Sequence, residues 1–372
     1  MDNATTEMEI LHICPDFPNT KLYNLLITNL MQYQKNVVYV PTSKKEIETE
    51  YPIYWGRNFG VIDRLLFFRK QNIIKREIEK LSLCNTCNII HAHNLFSAGY
   101  AAWKISQKLH IPYVVAVRNT DVNVFFHYMI HLRSIGVKIM RDASAVVFIS
   151  PAYKKIVIEK YVPEKYREII DAISHVIPNG IDNIFLNNKP LESKTATNNN
   201  QIRLIYVGEV NTNKNITTTL KACERLEKKG FNPTLTVVGP ITDSKYGFIK
   251  ENRFVKYHPK CPKEEVLQLL RENDIFVMPS LLETFGLVYV EALSQGLPII
   301  YSEDQGIDGY FEEGYVGYHV ESTNATQIAD KVESILAEYP KISARCIEAA
   351  HPFSWDKIAD VYNTIYLNCI NN

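Results

Sequence analysis

The feature that most limits the fold of this chain is a regular alternation of short apolar segments with amphipathic ones. In the first half the apolar segments are EILHIC, NVVYVP, NIIHAH, YVVAVR, SAVVFIS and SHVIPN. Helix-like segments such as TKLYNLLITNLMQY and AGYAAWKISQKLH lie between them. Strands that alternate with helices predict an α/β fold, with a parallel sheet covered by helices on both faces.

A polar segment divides this pattern in two. Residues 182–201, DNIFLNNKPLESKTATNNNQ, have little apolar periodicity and are predicted to be an exposed connection. The alternation then restarts, with IRLIYVG, PTLTVVG and IFVMPS as strands. A chain of 372 residues is too long for one ordinary core, so we expect two α/β domains. In open α/β sheets, ligands bind beyond the carboxyl ends of the strands.

The charge balance and the cysteines narrow the class of protein. Lys plus Arg and Asp plus Glu both total 41, so a generally basic nucleic-acid-binding protein is not expected. The first residues lack a basic region followed by an apolar run, and no apolar stretch reaches about 18 residues. We therefore expect neither a secretory signal nor a membrane-spanning helix. Seven scattered cysteines indicate a reducing, cytoplasmic location. Cys84 and Cys87 form an isolated CNTC pair, better explained by two ordinary thiols than by a zinc or redox site.

The candidate site lies in PSLLETFGLVYVEALSQGLPII (279–300). IFVMPS is predicted to be a strand and LVYVEALSQ a helix, with a turn at TFG between them. The residues at the helix N-terminus are then Thr284, Phe285, Gly286 and Leu287. Unpaired backbone N–H groups and the helix dipole favour a bound phosphate at such a terminus. The glycine allows a ligand to approach the backbone closely.

Two glutamates in this segment, Glu283 and Glu291, can bind hydroxyl groups of a ligand. Glu291 lies inside the predicted helix, and its two acceptor oxygens match the adjacent hydroxyls of a ribose. Glu283 precedes the helix and is predicted to bind a second sugar on the other side of the phosphate. This order of sugar, phosphate and ribose describes a nucleotide sugar. Two alternatives remain open on spacing alone: both carboxylates complement a helix N-terminus, or they form the carboxylate pair of a glycosidase.

At this point the chain resembles the retaining glycosyltransferases of family 4, which have the GT-B fold. The family signature E-x7-E matches Glu283 to Glu291 within PSxxETFGLVxVEAxxxGxPII. Further matches, in the family's order, are HAHN (91–94), VIPNGID (176–182), YVGEVNTNKN (206–215) and FSWDKIA (353–359). The resemblance implies two Rossmann-like domains facing across a cleft. By this resemblance the domains would be residues 1–182, which bind the acceptor, residues 183–352, which bind the donor, and residues 353–372, a C-terminal helix that packs back on the N-terminal domain.

The resemblance also implies roles for individual residues. Lys214 would neutralise the donor diphosphate, whose charge grows as it departs, and Glu283 would be a second catalytic residue. Since Lys214 and the helix N-terminus supply positive charge, we expect no metal ion, and no cofactor beyond the nucleotide sugar as co-substrate. The residues implied to bind the nucleotide sugar are Gly208, Glu209, Thr284, Phe285, Gly286, Leu287 and Glu291.

Three segments depart from the family pattern. Glu209 replaces the arginine that follows the loop glycine in the family, so one phosphate contact is missing. RNTD (118–121) replaces H-G-T-D, and its Arg118 and Asp121 are the N-domain residues assigned to catalysis. The early glycine-rich turn is absent, and PDFPNTK (15–21) follows the first strand instead. We predict that Arg118 supplies the charge lost at 209 or pairs with Glu209; the alternative is a local ion pair between Arg118 and Asp121.

The activity expected from these observations is transfer of a sugar from a nucleotide-diphosphate sugar to a hydroxyl group of a saccharide or lipid-linked acceptor. Uridine is the expected base, and the family implies retention of the anomeric configuration. Synthesis of cell-surface polysaccharide is the expected setting. The alternatives are a nucleotide-sugar epimerase of the same fold and a nucleotide-sugar-binding scaffold subunit without activity. No nucleic-acid partner is expected.

A basic, apolar-rich stretch at residues 56–80 bears on location. It could lie on the inner face of the membrane and present a lipid-linked acceptor, which would make the protein peripheral. The alternative is an ordinary domain helix with a solvated charged face.

Overall fold

The chain folds into two compact units. The computed structural model describes residues 8–42, 48–56, 59, 63, 66–190, 194 and 200–371. Unit 1 contains Met1–Ile149, Tyr153–Asn179 and Trp355–Asn372, and unit 2 contains Ser150–Ala152 and Gly180–Ser354. The chain therefore passes from unit 1 to unit 2 at residue 180 and returns at residue 355, where the sequence analysis placed the boundaries at 183 and 353.

Unit 1 is built on a seven-stranded parallel sheet with the order β3-β2-β1-β4-β5-β6-β7. Its strands are β1 (Glu9–Ile13), β2 (Lys35–Val40), β3 (Ile53–Trp55), β4 (Ile89–Ala92), β5 (Tyr113–Val117), β6 (Ala145–Phe148) and β7 (Ser174–Val176). All six strands predicted in the first half are confirmed. The additional strand β3 has only three residues and stands at the sheet edge, so it leaves no periodic pattern in the sequence.

Helices cover this sheet, as the alternating pattern predicts. They are α1 (Leu22–Leu30), α2 (Phe67–Lys80), α3 (Gly99–Leu109), α4 (Arg133–Arg141), α5 (Pro151–Lys160) and α6 (Glu164–Ala172). Short 3₁₀ turns occupy Phe17–Asn19 and Ile130–Leu132, and a π-helical turn occupies Asp121–Phe126. Strands β1, β4, β5 and β6 are buried along their whole length, which is typical of a parallel sheet covered on both faces.

Unit 2 repeats this architecture with a six-stranded parallel sheet in the order β10-β9-β8-β11-β12-β13. Its strands are β8 (Gln201–Val207), β9 (Asn232–Val238), β10 (Val255–His258), β11 (Ile275–Val277), β12 (Ile299–Ser302) and β13 (Gly317–Val320). The predicted strands IRLIYVG, PTLTVVG and IFVMPS are confirmed as β8, β9 and β11. The other three strands have four residues each and were not predicted.

The helices of unit 2 include one that the sequence analysis missed. They are α7 (Asn183–Asn187), α8 (Ile216–Lys228), α9 (Lys263–Glu272), α10 (Leu287–Ser294), α11 (Ala325–Ala337) and α12 (Tyr339–Ala349). Two 3₁₀ segments cover Ser244–Glu251 and His351–Phe353. The prediction that all of residues 182–201 form an irregular connection is wrong at its start. Asp182 accepts a hydrogen bond from the Ile184 N–H at 3.0 Å and caps α7, whose Phe185 is 1% exposed.

The last helix, α13 (Trp355–Asn371), returns to the core of unit 1. Its buried residues join a cluster with Ile10 of β1 and with Leu26 and Leu30 of α1. The Tyr366 hydroxyl lies 2.7 Å from His91 Nδ1 on β4. The predicted packing of the C-terminal helix on the N-terminal domain is thus confirmed.

We predict that Ile358→Ala lowers the free energy of unfolding by about 2–4 kcal/mol, because it removes apolar contacts and leaves a cavity between α13 and the sheet. Ile358 is 4% exposed and belongs to the core cluster of unit 1. Val361 is 46% exposed on the same helix, so Val361→Ala should cost less than about 0.5 kcal/mol. Urea denaturation measures both variants, and equal losses would contradict the packing of α13 described here.

Candidate active site

The loop that follows β8 is held by close contact with the end of β9. The Gly208 N–H donates to the Val238 carbonyl at 2.9 Å. A Cβ atom at Gly239 would lie 2.1 Å from the Gly208 carbonyl oxygen, so only glycine fits at 239. The Tyr206 hydroxyl donates to the Glu209 carbonyl at 2.7 Å. These contacts fix the backbone of Gly208 and Glu209 at the carboxyl edge of the sheet.

Lys214 stands at the end of this loop, directly before the N-cap residue of α8. Its backbone N–H donates to Asn211 Oδ1 at 3.0 Å. The next residue, Asn215, adopts the left-handed conformation with φ 53°, a region that asparagine tolerates better than most residues. The Asn215 side chain donates to the carbonyls of Pro279 at 3.1 Å and Ser322 at 2.5 Å. The backbone on both sides of the Lys214 side chain is therefore anchored.

The Lys214 ammonium forms an ion pair with Glu283, with Nζ and Oε2 2.5 Å apart. The two side chains are 22% and 11% exposed, so water screens the pair only partly. Glu283 Oε1 accepts the Thr284 N–H at 3.1 Å, and the Glu283 N–H donates to Gln305 Oε1 at 3.1 Å. Both oxygens of the carboxylate are thus held in place by charge-assisted hydrogen bonds.

The loops after β8 and β11 are also joined through their backbones. The Leu281 N–H donates to the Asn213 carbonyl at 2.7 Å, and the Asn213 side chain donates to the Leu282 carbonyl at 2.9 Å. Strands β8 and β11 are neighbours in the sheet, so their carboxyl ends lie side by side. This pairing brings Lys214 and Glu283 together, although 68 residues separate them in the chain.

The N-terminus of α10 is available to an anion. Gly286 has φ 81°, and a Cβ atom there would lie 2.4 Å from a Tyr289 ring carbon, so the position requires glycine. In the part of the chain that the structure describes, the N–H groups of Leu287 and Val288 have no hydrogen-bond partner. Such groups, with the helix dipole, stabilise bound phosphate.

Phe285 has a structural side chain. It is 2% exposed, and its ring centroid lies 5.7 Å from that of Phe353 and 6.1 Å from that of Tyr310. A ligand at this point would therefore contact the backbone of Phe285 and not its ring.

Glu291 lies in the second turn of α10 and has no hydrogen-bond partner for its carboxyl group among the described residues. Burial raises its pKa to about 7; the charge of Lys263 lowers this value and that of Asp182 raises it. Lys263 itself pairs with Asp182 at 2.7 Å. The Glu291 carboxyl group is therefore free to bind a ligand hydroxyl.

In unit 1, Asp121 positions the backbone. It is 1% exposed, and its carboxylate accepts three N–H groups, from Leu95 at 3.0 Å, Phe96 at 3.0 Å and Arg118 at 2.9 Å. Burial raises its pKa to about 6, and these hydrogen bonds oppose the shift. The suggested local ion pair with Arg118 is not formed, because Asp121 accepts the backbone N–H of Arg118 and not its guanidinium. The prediction that Arg118 compensates for Glu209 stays a prediction.

The structure adds residues that the sequence analysis did not assign. Gln305 holds the Glu283 backbone, and no local pattern marks it. His12, His91 and His93 are fully buried, and their ring nitrogens lie within 4.8 Å of one another. HAHN contained two of these histidines, but His12 is on β1 and only the pairing of β1 with β4 brings it to them.

The stretch proposed to contact a membrane, 56–80, is described only in part. Residues 57–58, 60–62 and 64–65 lie outside the described residues. On its described part, Leu66 is 50% and Phe68 45% exposed, and Arg69 pairs with Asp63 at 2.8 Å. Among the described helices, none has both the length and the apolar character needed to cross a bilayer. All seven cysteines, including Cys84 and Cys87, are free thiols.

Two family models match consecutive parts of the chain. "Glycosyltransferase Family 4" matches residues 32–183, and "Glycosyl transferases group 1" matches residues 187–352. The chain belongs to the family 4 glycosyltransferases. It is therefore a glycosyl-transferring enzyme, and its two Rossmann-like units are those of the GT-B fold.

Individual relatives agree with this assignment. Glycogen synthase of Mycobacterium tuberculosis is 25% identical over 301 residues, which are 75% of this chain and 68% of that protein. The capsular polysaccharide biosynthesis glycosyltransferase CapM of Staphylococcus aureus is 24% identical over 365 residues, 90% of this chain and 87% of that protein. The structure of Anabaena Alr3699/HepE in complex with UDP and glucose matches with a TM-score of 0.63 at 16% identity, covering 95% of this chain and 98% of that one.

We predict that Glu291→Gln stabilises this glycosyltransferase more at about pH 8 than at about pH 5. The Glu291 carboxyl group has a pKa of about 7 in the folded protein and 4.5 as its ordinary value. The folded state thus binds more protons than the unfolded state between these values, and stability falls as pH rises through them. The neutral amide removes this loss, a gain of about 1–3 kcal/mol at the higher pH.

Thermal melts of both proteins across this pH range test the prediction. Glu264→Gln, on the exposed side of α9, is the control and should leave the pH profile unchanged. A Glu291→Gln profile parallel to that of the wild type would show that Glu291 titrates as an ordinary solvated carboxyl group.

Proposed function

We propose that this glycosyltransferase moves a sugar from a UDP-sugar to a hydroxyl group of a saccharide or lipid-linked acceptor, with retention of the anomeric configuration, in the synthesis of a surface polysaccharide. The observation that carries the proposal is the ion pair of Lys214 and Glu283 in unit 2. It lies in the same pair of joined loops as the unpaired N–H groups of α10, and Glu291 follows in the next turn.

Lys214 is the residue for the donor diphosphate. Its ammonium group is held by Glu283 and not by a structural carbonyl, so a diphosphate can replace one anion with another. The negative charge on the diphosphate grows as the sugar–phosphate bond breaks, and a fixed cation stabilises that change most in the transition state. Glu283, released from Lys214, then has an acceptor oxygen for a hydroxyl of the transferred sugar.

The first turn of α10 is the second source of positive charge. The unpaired N–H groups of Leu287 and Val288 point to a diphosphate oxygen in this proposal, and Gly286 lets the ligand approach. With Lys214 and the helix N-terminus on the diphosphate, the scheme needs no metal ion.

Glu291 is the residue for the ribose. Its carboxyl group has no partner in the described part of unit 2, and it can accept hydrogen bonds from two adjacent hydroxyls. Because its pKa is about 7, ionisation on ligand binding strengthens these bonds.

The comparisons support the substrate classes. Anabaena Alr3699/HepE, which shares the fold, was crystallised with UDP and glucose, and this favours uridine as the base. Glycogen synthase and the capsular polysaccharide enzyme CapM, both relatives in sequence, favour a saccharide product. Retention follows in this proposal if the acceptor hydroxyl attacks on the face from which the diphosphate leaves and gives its proton to the departing diphosphate.

A panel of nucleotide diphosphates tests the donor site. We expect UDP, at about a hundredfold excess over its dissociation constant, to raise the melting temperature by roughly 5–10 °C, with smaller shifts for ADP and GDP. Glu291→Ala and Lys214→Ala should lose most of the UDP shift, whereas Glu264→Ala should keep it. A UDP shift that survives both site substitutions, or no shift with any nucleotide, would contradict this assignment.

A further inference from the structure

Unit 1 contains a buried cation without an anion. Arg118 directly follows β5 and is 8% exposed. Its Nη2 lies 3.5 Å from the Tyr362 hydroxyl. Its Nε and Nη1 groups are buried and donate to no atom of the described residues. Such an arrangement is costly, because a buried charge normally has a paired and hydrogen-bonded partner.

The neighbouring acids do not supply this partner. Asp121 is saturated by three backbone N–H groups. Asp16 accepts from Asn94 Nδ2 at 3.1 Å and from Asn19 Nδ2 at 3.3 Å. Among the described residues, no carboxylate forms an ion pair with Arg118. The guanidinium therefore has two directions in which it can donate hydrogen bonds to a ligand.

The adjacent strand adds unpaired acceptors. His12 is neutral, since burial lowers its pKa to about 4. Its Nε2 is 2.9 Å from Asn36 Oδ1 and must carry the proton, so its Nδ1 accepts from His93 Nε2 at 3.0 Å. His93 Nδ1 is then a lone pair, and it has no partner in the described residues. Asn94 Oδ1, the next side-chain oxygen along the chain, is also buried without a partner.

These unpaired atoms belong to one place. His93 and Asn94 follow β4 and Arg118 follows β5, and these two strands are parallel neighbours. The charge of Arg118 contributes to lowering the pKa values of His91 and His93, after burial and the neighbouring histidines, so the groups are close. Donors on Arg118 beside acceptors on His93 and Asn94 require a ligand with an anion and with hydroxyl groups.

A metal ion fits this place less well. The three buried histidines His12, His91 and His93 could supply nitrogen ligands. However, His12 Nδ1 and His93 Nε2 are already bonded to each other, and the rings of His91 and His93 stack with centroids 3.9 Å apart. A divalent ion would also add charge beside the unpaired guanidinium, which the low local dielectric makes unfavourable.

We propose that unit 1 binds an acceptor sugar that carries an oxyanion, either a carboxylate or a phosphate, and that Arg118 is the residue that selects it. The guanidinium can hold such a group through two parallel N–H bonds, while His93 and Asn94 accept from the sugar hydroxyls. This inference rests on the proposed function, because it names the acceptor class of the same transfer.

A cavity of about 230 Å³ in unit 1 offers a way to this site. It lies at the same carboxyl edge of the sheet and is lined in part by Pro15, Asp16 and Thr42. Asp16 connects the cavity wall to the site, because its carboxylate accepts from the Asn94 side chain.

Three monosaccharide probes with the full chain test the proposal: methyl β-D-glucuronide, glucose 1-phosphate and methyl β-D-glucoside. Calorimetry should show that one of the two anionic sugars binds at least tenfold more tightly than the neutral glucoside. The stronger of the two identifies the oxyanion as carboxylate or phosphate. Arg118→Met should abolish this preference, and Arg141→Met, which removes an arginine from the end of α4, should retain it.

Two further readouts separate this role from others. Without ligand, Arg118→Met should melt at or above the wild-type temperature, because it removes an unpaired buried charge. Its UDP shift should equal that of the wild type. If UDP fails to bind the wild type while the anionic preference depends on Arg118, the donor assignment fails and the sugar site in unit 1 stands.

Several results would overturn the proposal. One is equal binding of the three sugars, and another is an anionic preference that survives Arg118→Met but is lost in Lys214→Ala, which would place the probe in unit 2. Loss of the UDP shift in Arg118→Met would assign Arg118 to the donor instead. Stabilisation by Zn²⁺ that is lost in His93→Ala would show a metal site.

Discussion

Parallel strand pairing is the constraint on which the whole arrangement depends. Because every strand in each sheet runs the same way, all carboxyl ends of a sheet lie at one edge, and residues far apart in the chain meet there. In unit 2 the neighbours β8 and β11 bring Lys214 to Glu283. In unit 1 the neighbours β4 and β5 bring the His93 loop to Arg118. The helices between the strands bury both faces and leave this edge for chemistry.

The ion pair of Lys214 and Glu283 gives unit 2 a contact that a ligand can exchange. Its partners lie 2.5 Å apart and are mostly shielded from water, so each would be costly to leave alone. A donor diphosphate provides a new anion for Lys214, and the sugar hydroxyls provide new donors for Glu283. The surrounding backbone, anchored by Asn215 and Gln305, keeps both groups in place during this exchange. Preorganised charge of this kind is what stabilises a leaving group.

The sequence was sufficient for the repeated units but not for every contact in them. Apolar runs such as EILHIC and IRLIYVG predicted the central strands, because a doubly covered parallel strand is apolar throughout. The E-x7-E pattern predicted Glu283 and Glu291 because their spacing is local. Asp121, by contrast, was assigned to catalysis, and its bonds to three backbone N–H groups follow only from the pairing of β4 with β5. His12 was missed for the same reason, since its partners lie about 80 residues away in sequence.

A crystal structure of the protein with UDP would test the central claim most directly, because the account makes the Lys214–Glu283 contact exchangeable. We predict that Lys214 Nζ leaves Glu283 and lies about 3 Å from a diphosphate oxygen, with the Glu291 carboxylate on the ribose hydroxyls. A complex in which the ion pair stays intact and the diphosphate binds elsewhere would contradict the account.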